Sequence, residues 1–181
     1  MKPVKKILAL ILAGVMALAL LTGCGKATSL DRTIAEGMAE YAKSRFAETG
    51  NDNNISVSYQ VPELRRNIAP LFDENWVKYD ESKKEDVLNE EHKINGKTIE
   101  ETLKDILSPY MSDSTVAFLA TDVTDVKNPV LEVLNLNYSD IAFRPTDPST
   151  FDPTSITSLK IAVTHKTVNG RTYALAVMIG K

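Results

Sequence analysis

The chain has 181 residues, 21 basic and 24 acidic, with two histidines, one cysteine and a formal charge of −3. This length can enclose one core without disulfide support, and a lone cysteine excludes an intramolecular disulfide. The acidic balance argues against nucleic acid, whose phosphates call for a basic face.

The first segment reads MKPVKKILALILAGVMALALLTGC. Lys2, Lys5 and Lys6 make a positive start, Ile7 to Leu21 is apolar apart from Gly14, and Thr22 and Gly23 are small. This is the pattern of a secretory signal peptide. A retained membrane helix is the competing reading, and the run falls short of the about 20 apolar residues it needs. The tetrad Leu21-Thr22-Gly23-Cys24 resembles the bacterial lipobox. The resemblance implies diacylglyceryl transfer to the Cys24 thiol, cleavage between Gly23 and Cys24, and often acylation of the new amino group. Two or more acyl chains anchor stably where one holds only marginally. An ordinary signal peptide with a chance cysteine would leave Cys24 without a purpose, since no second cysteine can pair with it.

The chain then divides into a leader (1–23), a lipidated Cys24 with its tether (24–29) and an extracytoplasmic domain (30–181). The leader holds three of the 21 basic residues and none of the acidic ones, which leaves 18 against 24 and a charge of −6. Anionic lipid repels that charge, so the acyl chains are the membrane contact.

Within the domain, SLDRTIAEGMAEYAKSRFAETGN carries an apolar stripe of Leu30, Ile34, Met38, Tyr41 or Ala42, and Phe46. It predicts a helix with Ser29 as N-cap, Asp31 in the first turn and Gly50 at the stop. Gly37 inside it lets a neighbouring backbone approach closely. ISVSYQVP alternates at Ile55, Val57, Tyr59 and Val61 and predicts a half-buried strand ended by Pro62. ELRRNIAPLF suggests a helical turn, and the charge run KYDESKKEDVLNEEHK a solvated loop or helix face. NGKTIEETLKDILSPY predicts a helix with a Thr98/Glu101 capping box, a stripe of Ile99, Leu103, Ile106, Leu107 and Tyr110, and an end at Pro109.

TVAFLATDV reads as a buried strand, VLEVLNLNYSDIAF as a turn of helix and then a strand near Ile141, and RPTDPSTFDPTS as a proline loop. LKIAVTHKTVNGRTYALAVMIG is the clearest element, a hairpin about Asn169-Gly170. Leu159, Ile161 and Val163 alternate on its first strand, and Tyr173, Leu175, Val177 and Ile179 on its second. HKINGKT and HKTVNGRT look alike, but the first precedes a helix and the second joins strands, so they read as two turns and no repeat. The order predicts a single α+β domain, a central antiparallel sheet flanked by helices with a C-terminal β-hairpin.

Three blocks resemble the CAP superfamily (SCP-like domains), which includes cysteine-rich secretory and plant pathogenesis-related proteins. LNLNYSDIAF, Leu134 to Phe143, is similar to the family's LNPNYTEIGV; RRNIA, Arg65 to Ala69, to its GENIA; and SRFAETG stands where it often has YFSHT. The closing hairpin also resembles the family's last two strands. The resemblance implies an α-β-α sandwich with a cleft of two histidines and two acidic residues. Here the cleft is degenerate: the first histidine falls on Glu48 and the glutamate on Arg66, beside Asn67. The second histidine falls on Met111, or on Pro129 if register is counted back from LNLNY.

No transition metal or cofactor is expected. His92 lies in the charge run, and His165 lies on the same alternating set as Leu159, Ile161 and Val163. Asp122 with Asp125, or Asp147 with Asp152, could hold calcium through carboxylates, although neither pair follows the EF-hand spacing. No G-x-S-x-G elbow, Walker loop or G-x-G-x-x-G occurs. A triad assembled in space would leave no such spacing to read.

Two function classes remain. The first is a lipid-anchored, non-catalytic binding module at the cell membrane, facing outward, for a protein, cell-wall or lipid partner. The second is a cell-envelope hydrolase of peptide or wall material. The anchor has a direct test in Cys24→Ser, which removes the acyl acceptor. Metabolic labelling with a tagged fatty acid should mark the wild type and leave the variant blank; equal labelling of both would refute the anchor.

Overall fold

The computed structural model describes residues 28–82, 84–134, 141–143 and 152–181. Its organising element is the turn at Asn169-Gly170, where both residues have positive φ, 51° and 79°. Asparagine and glycine tolerate this conformation, and the resulting two-residue turn matches the twist of the strands it joins. Those strands are β8 (Ser158–Val168) and β9 (Arg171–Gly180), in register from Val168↔Arg171 to Leu159↔Gly180.

Earlier elements follow in chain order: helix α1 (Thr28–Glu48), β1 (Ser56–Ser58), β2 (Val77–Asp80), β3 (Glu85–Leu88), β4 (Lys93–Ile94), β5 (Lys97–Thr98), helix α2 (Ile99–Leu107), β6 (Thr115–Asp122), helix α3 (Pro129–Leu134) and β7 (Ile141–Phe143). The main sheet has five strands in the order β1-β8-β9-β6-β7. β6 runs antiparallel to both β9 and β7, whereas β1 runs parallel to β8 from Ser56↔Ser158 to Ser58↔Lys160. The protein is thus α+β as expected, but its sheet is mixed where an antiparallel one was predicted. A parallel pair needs a long crossover, and the chain between Ser58 and Ser158 supplies it.

The hairpin register puts the two predicted stripes on opposite faces, and both faces are buried. Leu159, Ile161 and Val163 join Ala174, Ala176 and Leu119 under α1 and α3. Tyr173, Leu175, Val177 and Ile179 join Val116 and Phe118 under α2 and the segment from Leu64 to Trp76. Trp76 is fully buried there, edge-on to Phe72 and Tyr173 with ring centroids 4.9 and 4.7 Å away.

Several local expectations hold. Thr98 and Glu101 form the capping box of α2, and Pro109 sits in the helical turn Ser108–Tyr110 that ends it. Gly50 closes α1 with φ +91°. α1 begins at Thr28, so Ser29 lies inside the helix and does not precede it. Three expectations change. The charge run forms the hairpin β2–β3, with the cross-strand pair Val77 and Leu88 packed on the second core, because Val77, Tyr79 and Val87 are residue types that suit a strand despite the surrounding charge. HKINGKT also joins strands, Asn95-Gly96 (φ 53° and 82°) linking β4 to β5 in the manner of Asn169-Gly170. The strand predicted over 55–61 pairs only at 56–58. Ile55 belongs to the first core and Val61 to the second, so the chain leaves the sheet after Ser58 and passes to the other face. Residues 144–151 of the proline loop lie outside the described residues, as does residue 140 and the stretch before it from 135.

Among the described residues no helix is long and apolar enough to cross a membrane. Close approach at Gly37 comes from a side chain where a backbone was expected: a Cβ on Gly37 would stand 2.4 Å from Cγ1 of Val130, so α1 and α3 touch because this residue is glycine. Gly37→Ala should therefore destabilise the protein by about 1–3 kcal/mol through overpacking, against the gain of roughly 0.5–1 kcal/mol for Gly→Ala in a free helix. Urea unfolding checks it, and adding Val130→Ala should give a double variant less destabilised than the sum of the two.

Candidate functional site

Where β1 stops, the outer edge of β8 is uncovered. Ser56 N–H bonds Thr157 O at 3.0 Å, so the odd-numbered residues of β8 present their backbone groups to β1, and the even-numbered ones pair with β9. The β1 ladder ends at Lys160. Beyond it Val163 and His165 turn an N–H and a C=O outward, and among the described residues these groups have no partner.

The side chains about this edge converge on Asp31. Asp31 is only 7% exposed, in the first turn of α1. Its Oδ1 lies 2.8 Å from His165 Nδ1, and its Oδ2 accepts from Arg65 Nη2 at 3.1 Å. Arg65 comes from the π-helical turn Leu64–Ile68, whose Leu64 and Ile68 are buried in the second core. The carboxylate therefore ties three elements together: α1 on one face, β8 in the sheet and the π turn on the other face. A buried carboxylate requires such partners, since burying it alone is strongly unfavourable. Lys166 secures the turn from β8, its Nζ donating to Ala69 O at 3.0 Å.

Two concavities open on this edge. One, of about 390 Å³, lies against α1 with Asp31, Arg32 and Ala35. The other, of about 320 Å³, lies against the π turn with Leu64, Arg66 and Ala162. Tyr59, Gln60, Arg65 and Val163 border both. Burial, with Glu36 and Glu40 nearby, raises the pKa of the Tyr59 phenol, so the phenol is a neutral donor at ordinary pH. Arg32 is paired with Glu36 at 2.8 Å, whereas Arg66 is exposed and unpaired among the described residues. Three arginines and one aspartate thus line a groove in an acidic protein.

The residues flagged by sequence are only partly gathered. Arg66 lines the groove, and Asn67 is exposed on the same turn. Glu48 takes Arg45 at 2.5 Å at the far end of α1, about 26 Å from Asp31 at 1.5 Å per residue. Met111 packs against the second core after the Ser108–Tyr110 turn. Gly23, Cys24 and Asp147 lie outside the described residues. Among the described residues no three His, Cys, Asp or Glu side chains could hold a metal. Asp122 pairs with Arg171 at 3.2 Å, Asp152 caps Thr154, and His92 Nε2 lies 3.1 Å from Asp73.

Sequence reasoning passed over Asp31 and Arg65. A signal for Asp31 existed: it stands three residues before Ile34 on the buried stripe, a polar residue at an apolar position. Chemically, the Asp31–His165 pair orients an imidazole as a catalytic dyad would, but the described hydrogen bonds bring the ring no nucleophile.

Comparison with protein-family models, with curated proteins and with solved structures found no match in any of the three.

The carboxylate tie has a clear signature in stability. Asp31→Ala leaves a half-buried ring nitrogen and a guanidinium unpaired and should lower the unfolding free energy by about 1–3 kcal/mol. Arg65→Ala removes a partner whose side chain is 61% exposed and should cost about 0–1 kcal/mol. Urea denaturation of both variants gives the comparison, and an Arg65→Ala loss as large as that of Asp31→Ala would contradict this arrangement.

Proposed function

We propose that this chain is a lipid-anchored, extracytoplasmic binding module whose groove at the β8 edge receives a protein, cell-wall or lipid partner of the envelope. The observation that carries the reading is the groove itself: Val163 at the open strand edge, an unpaired Arg66 and a donor phenol line it, and among the described residues no hydroxyl or thiol is hydrogen-bonded to the His165 ring. The lipobox at Leu21–Cys24 supports anchoring through Cys24. A CAP-like α-β-α sandwich is our proposal for the parent fold. Its support is a sheet buried on both faces, a closing antiparallel hairpin and the RRNIA turn at the groove. Of the three positions matched to the family's cleft, Glu48, Arg66 and Met111, only Arg66 lines the groove, and its guanidinium speaks for binding in place of metal-dependent chemistry.

The second reading, an envelope hydrolase, has one observation in its favour, the His165–Asp31 pair at 2.8 Å. The two readings separate in one experiment. The full chain, as wild type, Arg66→Glu and His165→Asn, is incubated with purified envelope fragments; sedimented protein and released soluble products are both measured. The binding module should sediment with intact fragments, less so for Arg66→Glu, and release nothing. Release of soluble peptide or sugar that His165→Asn abolishes would establish the hydrolase, and no retention at all would refute the module.

A further inference from the structure

The open stretch of β8 is bounded. At one end the β1 ladder stops at Lys160, and at the other Arg65 crosses from the π turn to Asp31 beside His165. Between them Val163, which lines both cavities, turns one N–H and one C=O away from β9 toward the open edge of the strand. An outward N–H and C=O on an uncovered strand edge are a template on which another extended segment can pair.

The placement of the two cavities says what that partner is. One lies on the α1 face of β8 and the other on the π-turn face, and they meet at the strand's edge. A strand laid along that edge would bond Val163 through its main chain. Its successive side chains point to opposite faces, so they would enter the two cavities in turn. Neither a flat ring nor a lipid tail alternates in this way. The charges add a second constraint. Arg32 is paired with Glu36 and Arg65 with Asp31, so the charge left over in the lining is that of Arg66, which has no partner among the described residues.

We infer that the groove binds a short extended peptide segment bearing a carboxylate, added as a strand to the β8 edge between Lys160 and His165, with Arg66 taking the carboxylate. This rests on the binding-module reading above and specifies its partner. The mode is strand addition: main-chain bonds supply affinity and the side-chain pockets supply selectivity. A guanidinium suits a carboxylate because its donors match both oxygens.

The test uses the full chain in detergent and a short labelled peptide of alternating valine and threonine with one central glutamate. Anisotropy gives affinity, and backbone amide NMR shifts give location. Three comparisons are made: a peptide with lysine in place of glutamate, a peptide N-methylated on alternate residues, and the Arg66→Ala protein. The acidic peptide should bind saturably and shift the amides of Val163 and His165. Arg66→Ala and the lysine peptide should each weaken binding about tenfold, the scale of a charge-assisted hydrogen bond. N-methylation, which leaves every protein side chain in place, should weaken it at least as much. Equal binding by the N-methylated peptide, or binding without shifts at Val163 and His165, would overturn the proposal. Retention on envelope fragments with no peptide binding would overturn the peptide and leave the module standing. Binding followed by His165-dependent cleavage would support the peptide and overturn the non-catalytic reading.

Discussion

The two-residue turn at Asn169-Gly170 fixes more of this protein than any other contact. Pairing Val168 with Arg171 decides that odd residues of β8 face even residues of β9. That parity sends Leu159, Ile161 and Val163 under α1 and sends Leu175 and Val177 under α2. It also turns the backbone groups of Val163 and His165 away from β9 and toward the groove. A one-residue slip would invert both faces of β8 and remove His165 from Asp31. The core and the candidate site therefore share a single determinant.

Because both faces are buried, the sheet needs two separate covers, and the chain must pass from one to the other. It does so at Tyr59 to Pro62, between Ile55 in the first core and Val61 in the second. That crossing shortens β1 to three residues against eleven in β8. The open edge is thus a consequence of how the cores are divided. Asp31, Arg65 and His165 then stitch the covers together across the gap, with one carboxylate reaching all three elements.

What could be read from the sequence was local. Asn169-Gly170 and the Thr98/Glu101 box each depend on a few neighbouring residues and are present as expected, whereas the close approach at Gly37 is made by the Val130 side chain and not by a backbone. The parallel pairing of β1 joins residues about a hundred positions apart, for which alternation carries no signal. The β2–β3 hairpin was hidden by its charges, since only the cross-strand pair Val77 and Leu88 packs on the core and Tyr79 is exposed. Asp31 and His165 each continue an apolar stripe, which marks them singly. Their partnership spans 134 positions and becomes visible only when the fold brings the stripes together.

An open strand edge invites association with any strand, including the same edge of a second copy. The residues at this groove disfavour that outcome. A symmetric pair of β8 edges would bring Arg66 of each copy toward the other in a confined space, and like charges directly opposed are destabilising. The Arg65–Asp31 bridge limits the accessible stretch to the few residues between Lys160 and His165, too short for an extensive ladder. β1 also occupies the start of the edge with a polar strand, Ser56-Val57-Ser58. The same features that keep two copies apart leave the groove suited to a short, acidic, extended segment: length is set by the bridge, charge by Arg66, and conformation by the outward groups of Val163.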